Sequence, residues 1–157
     1  MTRRPAKKLT LGESEGRTLG GLDKDDPTHR TAAALYLILK NQVELLGHQP
    51  GSVPLDERFA SERSRGALMG TAIAVVRGHR EAPEPDDYID AIVAAFTVVF
   101  GEAIGEAQAH ETIKQSGAKN AAVNSASDRA GQDTIDNWSD DSASRPMAYY
   151  RAVIGTL

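Results

Sequence analysis

The chain has 157 residues, a length for one domain with appended tails, and no cysteine, which excludes disulfides, thiolate catalysis and Cys-ligated zinc or iron–sulfur sites. With 40% hydrophobic but only 5% aromatic residues, a core has to be built from Ala, Val, Leu and Ile, whose small side chains bring helices close together. A formal net charge of −4 supplies no overall positive field for a polyanion, so nucleic acid is not an expected partner.

Residues 1–26 read as an extended N-terminal arm. Arg3, Arg4, Lys7 and Lys8 come before any acidic residue, and the Gly-rich, charged stretch after them has no face to bury. No apolar segment of about 7–15 residues follows the basic start, so the sequence predicts no secretory signal and a cytoplasmic protein, or one assembled into a particle from the cytoplasm.

The first helix is expected over about 27–46. Asp26 can cap it, and Pro27 fits the first helical position, where its missing N–H has no intrahelical partner. Ala32, Leu35, Tyr36, Leu39, Val43 and Leu46 make one apolar stripe, with Leu37, Ile38 and Leu45 adding apolar area elsewhere. Gly47 ends it.

A second helix is predicted over about 54–78, charged in its first half around Phe59 and apolar in its second. Gly66, Gly70 and Ala74 recur every four residues, so three minimal side chains share one face. A glycine inside a helix costs up to about 1 kcal/mol relative to alanine, and its repetition points to a close-packed neighbour.

The third and longest helix, about 85–116, is the centre of the expected fold. At 100° per residue it separates a large face (Ile89, Ile92, Val93, Phe96, Val99, Phe100, Ala103, Ile104, Ala107) from a small one (Ala91, Ala94, Val98, Gly101, Gly105). The large face is expected on the first helix and the small face on the Gly66/Gly70/Ala74 ladder. Its apolar run, Ala91 to Gly101, is shorter than the roughly 20 residues of a membrane span, so no membrane partner is expected.

Residues 118–144 read as a polar linker, a long loop or partly helical, that is long for a compact domain and so is expected to wrap the bundle or a partner, with Ile135 and Trp138 as its only sizeable apolar anchors. Residues 145–157 close the chain as a short docking helix, with Met147, Tyr150, Ile154 and Leu157 at helical spacing and Tyr149 and Val153 beside them. It docks either on its own bundle or on a neighbouring subunit. The fold class is therefore all-α: a bundle of three main helices over a helical core at 27–117, with a short C-terminal helix and extended polar tails.

Polar constellations are few. Glu102, Glu106 and His110 lie four residues apart along one side of the central helix, a spacing at which carboxylates and an imidazole can ligate a metal. A bundle metal site also needs ligands from facing helices, and Glu44, Glu62 and His48 are the nearest candidates, without a Glu-x-x-His pair. No catalytic residue, cofactor or metal is assigned; those three residues are the best candidates if a metal binds. Asp86 and Asp87 suit a first helical turn, where negative charge complements the dipole. His29, His48 and His79 fall at helix ends or loops, and Arg58, Arg63 and Arg65 alternate with Glu57 and Glu62 as on a mixed solvated face.

The expected function is a non-enzymatic interaction or structural subunit of a larger assembly: a virion or mobile-element component, an accessory subunit or an inhibitor. Its arm and C-terminal segment would engage a protein partner or further copies of the chain. The alternative is a metal-dependent helical enzyme built on Glu102, Glu106 and His110. A DNA-binding regulator using the basic start and the second helix is the weaker third.

Overall fold

The computed structural model describes residues 26–139 and 145–157, so the N-terminal arm, apart from Asp26, and the end of the expected linker lie outside the described residues. Among the described residues the chain is all-helical, with six helices: α1 (Pro27–Leu45), α2 (Glu62–His79), α3 (Pro85–Phe100), α4 (Glu102–Gly117), α5 (Ala121–Asn137) and α6 (Ala148–Ile154). None of them is long and apolar enough to cross a membrane.

Helix α1 forms as its sequence dictates. Asp26 accepts from the Thr28 amide at 2.9 Å and Pro27 opens the helix. Leu35, Leu39 and Val43 are fully buried and Tyr36 nearly so, whereas Leu37 and Leu45 face outward. Thr28 and Thr31 at its start meet Arg80 and His79 at the end of α2, so the two helices run antiparallel.

The segment before α2 is not helical from Pro54. Asp56 Oδ1 accepts from the amides of Arg58 and Phe59 at 2.9 and 3.1 Å, closing a local turn that leaves the buried Phe59 ring in the core. Ser61 then caps a helix beginning at Glu62, accepting from the Ser64 amide at 3.0 Å. Two successive side-chain caps compete with helix propagation, and the helix starts after the second.

The long central helix is divided. Gly101 stands at φ +90°, a conformation that L side chains rarely adopt, and the chain turns there from α3 into α4. The break deprives the Val98 and Val99 carbonyls of the amides one turn ahead. Residues of the α1–α2 loop replace them: Gly51 N–H donates to Val98 O at 2.6 Å and Val53 N–H to Val99 O at 3.1 Å. Gly105 completes the corner, since a Cβ there would lie 2.7 Å from Phe96 O. Upstream of the break α3 packs against both α1 and α2, with Ile92, Phe96, Val99 and Phe100 of the expected large face buried and Ala91 and Val98 of the small face buried as well; beyond it Ala103, Ile104 and Ala107 are exposed.

The glycine ladder has a different partner from the one expected. A Cβ on Gly66 would lie 2.4 Å from Val123 O and one on Gly70 2.1 Å from Ser127 O, so the face of α2 that carries them is filled by the backbone of α5. The stretch expected as a polar linker is thus helical from Ala121 to Asn137 and lies lengthwise along α2. Gly66 meets Val123, Gly70 meets Ser127 and Gly78 meets Trp138, so the two helices are parallel. Helix α5 buries Val123, Ala126, Ala130 and Thr134, three or four residues apart. Ile135, an expected anchor, is 64% exposed, while Trp138 packs on the core and meets the His79 ring edge-on at 5.1 Å.

Helix α6 docks on its own bundle, against α2, α5 and α1. Its inward residues are Ala148, Tyr149, Ala152 and Val153, rather than the expected Met147–Tyr150–Ile154 line, and Ile154 is 49% exposed. Two hydrogen bonds set this rotation. The Tyr149 hydroxyl donates to Phe59 O at 2.9 Å, and the Tyr150 amide donates to the buried Gln42 Oε1 at 2.9 Å. Burial pushes the Tyr149 phenol well above its ordinary value, and the Asp56 carboxylate acts in the same direction. Above about pH 10 the unfolded chain therefore loses a proton that the folded chain keeps, and stability falls as pH rises, by about 1.4 kcal/mol per unit from this group. Urea unfolding of wild type and Tyr149→Phe from pH 9 to 11 is expected to show the steeper loss in wild type; parallel curves would remove Tyr149 as its source.

Candidate functional site

The acidic edge considered for chemistry sits on α4, immediately after the Gly101 turn. Glu102 opens the helix, and Glu106 and His110 follow on its outer side. His110 Nε2 is 3.9 Å from Glu106 Oε1, with side chains 46% and 55% exposed, so water screens the pair strongly. The residues expected to complete a metal site are engaged or exposed elsewhere. Glu44 lies exposed on α1, His48 packs edge-on against Phe59 at 5.0 Å, and Glu62 accepts a hydrogen bond from Asn120 Nδ2. Among the described residues no three or more His, Asp or Glu side chains are grouped to hold a metal ion.

The arginines do not share a face either. Arg58 precedes α2 and lies over the Phe59 ring at 5.1 Å, and Arg63 points to solvent. Arg65 turns inward and is only 7% exposed. Its Nε donates to Ala60 O at 3.0 Å, and one terminal nitrogen donates to Thr112 Oγ1 at 3.0 Å and to Gln115 Oε1. Burial lowers its pKa from the usual value, with Glu62 and Glu111 opposing that shift. A buried guanidinium held by three neutral acceptors ties α4 to the start of α2; it is a tether, not part of a phosphate-binding surface.

The remaining polar residues singled out in the sequence also close structure. Asp87 accepts from the Glu84 amide at 2.8 Å in a reciprocal cap and sits 3.6 Å from Arg80 Nε. His79 Nδ1 is 2.9 Å from Thr31 Oγ1, and His29 Nδ1 is 4.0 Å from Asp26. At the α4–α5 junction Lys119 takes φ +60°, with the Lys119 and Asn120 amides donating back to Ser116 and Gln115 carbonyls. Asn120 then caps α5 through the Val123 amide at 3.0 Å.

Among the charged and polar side chains that face outward stand several large aliphatic ones. Leu37, Leu45, Leu55, Ile104, Ile135 and Ile154 are between 45% and 64% exposed. Leu37 and Leu45 stand off the main apolar stripe of α1, but so does Ile38, which is buried, so position off the stripe alone did not mark them as exposed. Ile104 gave no signal either, since an unbroken central helix places it on the large apolar face. Comparison of the chain with protein-family models, with curated proteins and with solved structures finds no match.

Proposed function

We propose that the protein is a non-enzymatic helical subunit that acts by contact with other protein chains, in the cytoplasm or in a particle assembled there. The observation that carries this reading is the set of outward aliphatic side chains, with Leu37 and Leu45 at 58% exposure on a helix whose opposite face is fully packed. Exposed leucines placed singly are ordinary; several on one small all-helical chain suit surfaces that another chain covers. The polar side chains that converge inside the described structure, Arg65 with Thr112 and Gln115, and Gln42 with Tyr150, are engaged with one another and support a scaffold.

Co-purification from the native source tests this with paired surface variants, Leu37→Glu with Leu45→Glu and Ile135→Glu with Ile154→Glu. The reading predicts a protein partner or further copies of the chain bound by wild type and lost with at least one pair, while thermal melting is unchanged. Recovery of the protein alone and monomeric under every condition would contradict it. The second reading, metal-dependent chemistry at Glu102, Glu106 and His110, draws on the approach of His110 to Glu106 on an accessible face. It predicts a melting temperature raised by magnesium, manganese or zinc in wild type but not in Glu106→Gln.

A further inference from the structure

Among the described residues, Lys119 is the non-glycine residue with a positive φ, +60°, and it lies in the short connection of Ala118, Lys119 and Asn120 between α4 and α5. The Lys119 amide donates to Ser116 O and the Asn120 amide to Gln115 O, both at 3.0 Å, the paired bonds of a helix end whose left-handed residue is ordinarily glycine. Here the glycine stands two residues earlier, at Gly117 inside α4. The turn is therefore both short and strained. No proline lies between Glu102 and Asn137, so returning Lys119 to a helical φ would join α4 and α5 in one helix. The backbone loses no hydrogen bond: Gln115 O and Ser116 O then accept from Lys119 and Asn120, and the Val123 amide, bonded in the turn to the Asn120 side chain at 3.0 Å, donates to Lys119 O. Only side-chain bonds are given up, Ser116 Oγ to Asn124 Oδ1 at 2.7 Å and Asn120 Nδ2 to Glu62.

Straightening carries α5 off its own α2. Helix α5 packs chiefly on α2 and only slightly on α4, and it holds α6 through Asp133, which accepts from the Met147 amide at 2.8 Å, and Arg129, which donates to Leu157 O at 3.2 Å. The two helices thus move as one unit. They uncover the Gly66 and Gly70 face of α2 and the acceptors Phe59 O and Gln42 Oε1, a surface that α5 and α6 of a second copy fit residue for residue. We infer that two copies of the chain exchange α5 and α6 by opening at 118–120, each pair docking on the α2 of the other copy. A short hinge under strain invites such an exchange, and the two-fold dimer reuses contacts the monomer already makes. At low concentration the chain closes on itself, since the same seam then costs no association entropy. The inference goes beyond the contact function proposed above, because it uses the buried α2–α5 seam and not the outward leucines.

Refolding the full chain from urea at about 1 µM and at about 500 µM, followed by gel filtration with light scattering, tests it. Wild type is expected to give monomer at the low concentration and a dimer fraction at the high one. That dimer should persist for hours after dilution, because its return to monomer requires α5 to leave α2. Lys119→Gly relieves the turn and weakens the joined helix, so it should weaken the dimer about a hundredfold or more. Asn120→Ala removes a cap that only the turn needs and should tighten the dimer about tenfold. Leu37→Glu with Leu45→Glu should leave it unchanged. A wild type that refolds only to monomer, a dimer that dissociates within minutes of dilution, or a dimer fraction indifferent to Lys119→Gly would each overturn the inference. Monomer alone at the high concentration, with a different protein still captured in co-purification, removes the exchange and leaves the contact function in place.

Discussion

Gly70→Ala is expected to lower stability by about 3 kcal/mol or more, although the same change in an ordinary helix interior stabilises by up to about 1 kcal/mol. The added methyl would lie 2.1 Å from Ser127 O, 2.7 Å from Ser127 C and 2.8 Å from its Cα, and these are backbone atoms of a neighbouring helix. No rotamer change relieves that contact, so α5 has to move away from α2 and give up the packing of Val123, Ala126 and Ala130 on the way. Gly131→Ala is the control on the same seam. Its methyl would stand 3.8 Å from Gly70 O, ordinary van der Waals contact, so the gain in helix propensity survives and stability is expected to rise by about 0.5–1 kcal/mol. Urea unfolding midpoints at constant slope measure both. Equal and positive shifts for the two variants would mean that α2 and α5 do not touch at Gly70.

Gly101→Ala is expected to cost about 2–4 kcal/mol by two additive causes. Gly101 sits at φ +90° and ψ 169°, a region nearly reserved for glycine and costing about 1–3 kcal/mol for any other residue. The new methyl would also meet Gly51 O at 3.0 Å, pressing on the loop whose amides satisfy Val98 and Val99. Gly47→Ala separates the causes, because Gly47 has φ +89° but nothing within 4 Å of an added Cβ. It is expected to carry the conformational cost alone, about 1–2 kcal/mol. If Gly101→Ala melts like wild type, α3 and α4 form one continuous helix and the turn is wrong.

The parts of the fold that were legible share one property: their local signals and their tertiary contacts agree. Asp26 and Pro27 start α1, and its buried residues keep the helical period, so the helix could be read almost to the residue. The all-helical class followed for the same reason. The division at Gly101 was hidden because Ala91 to Gly101 is almost continuously apolar and the helical pattern resumes at Glu102, and periodicity cannot distinguish one long helix from two joined at a glycine. The deciding factor is remote, the Gly51 and Val53 amides that take over the freed carbonyls. Helix α5 was hidden for the opposite reason. Its buried residues are Val, Ala and Thr, which score as polar linker, yet against the glycines of α2 small residues give the closest approach. The ladder announced that a backbone would come close, but not which one. At the candidate site, the four-residue spacing of Glu102, Glu106 and His110 places them along one helix edge, and that edge is exposed.

Backbone amide hydrogen exchange across Val123–Thr134 reports whether this polar-looking segment is the inner partner of the glycine face of α2. These amides are expected to be protected nearly as strongly as Ala67–Val76 on α2, and to lose that protection together with α5 packing in Gly70→Ala. Exchange of 123–134 at the rate of an unstructured chain, with α2 still protected, would contradict that partnership.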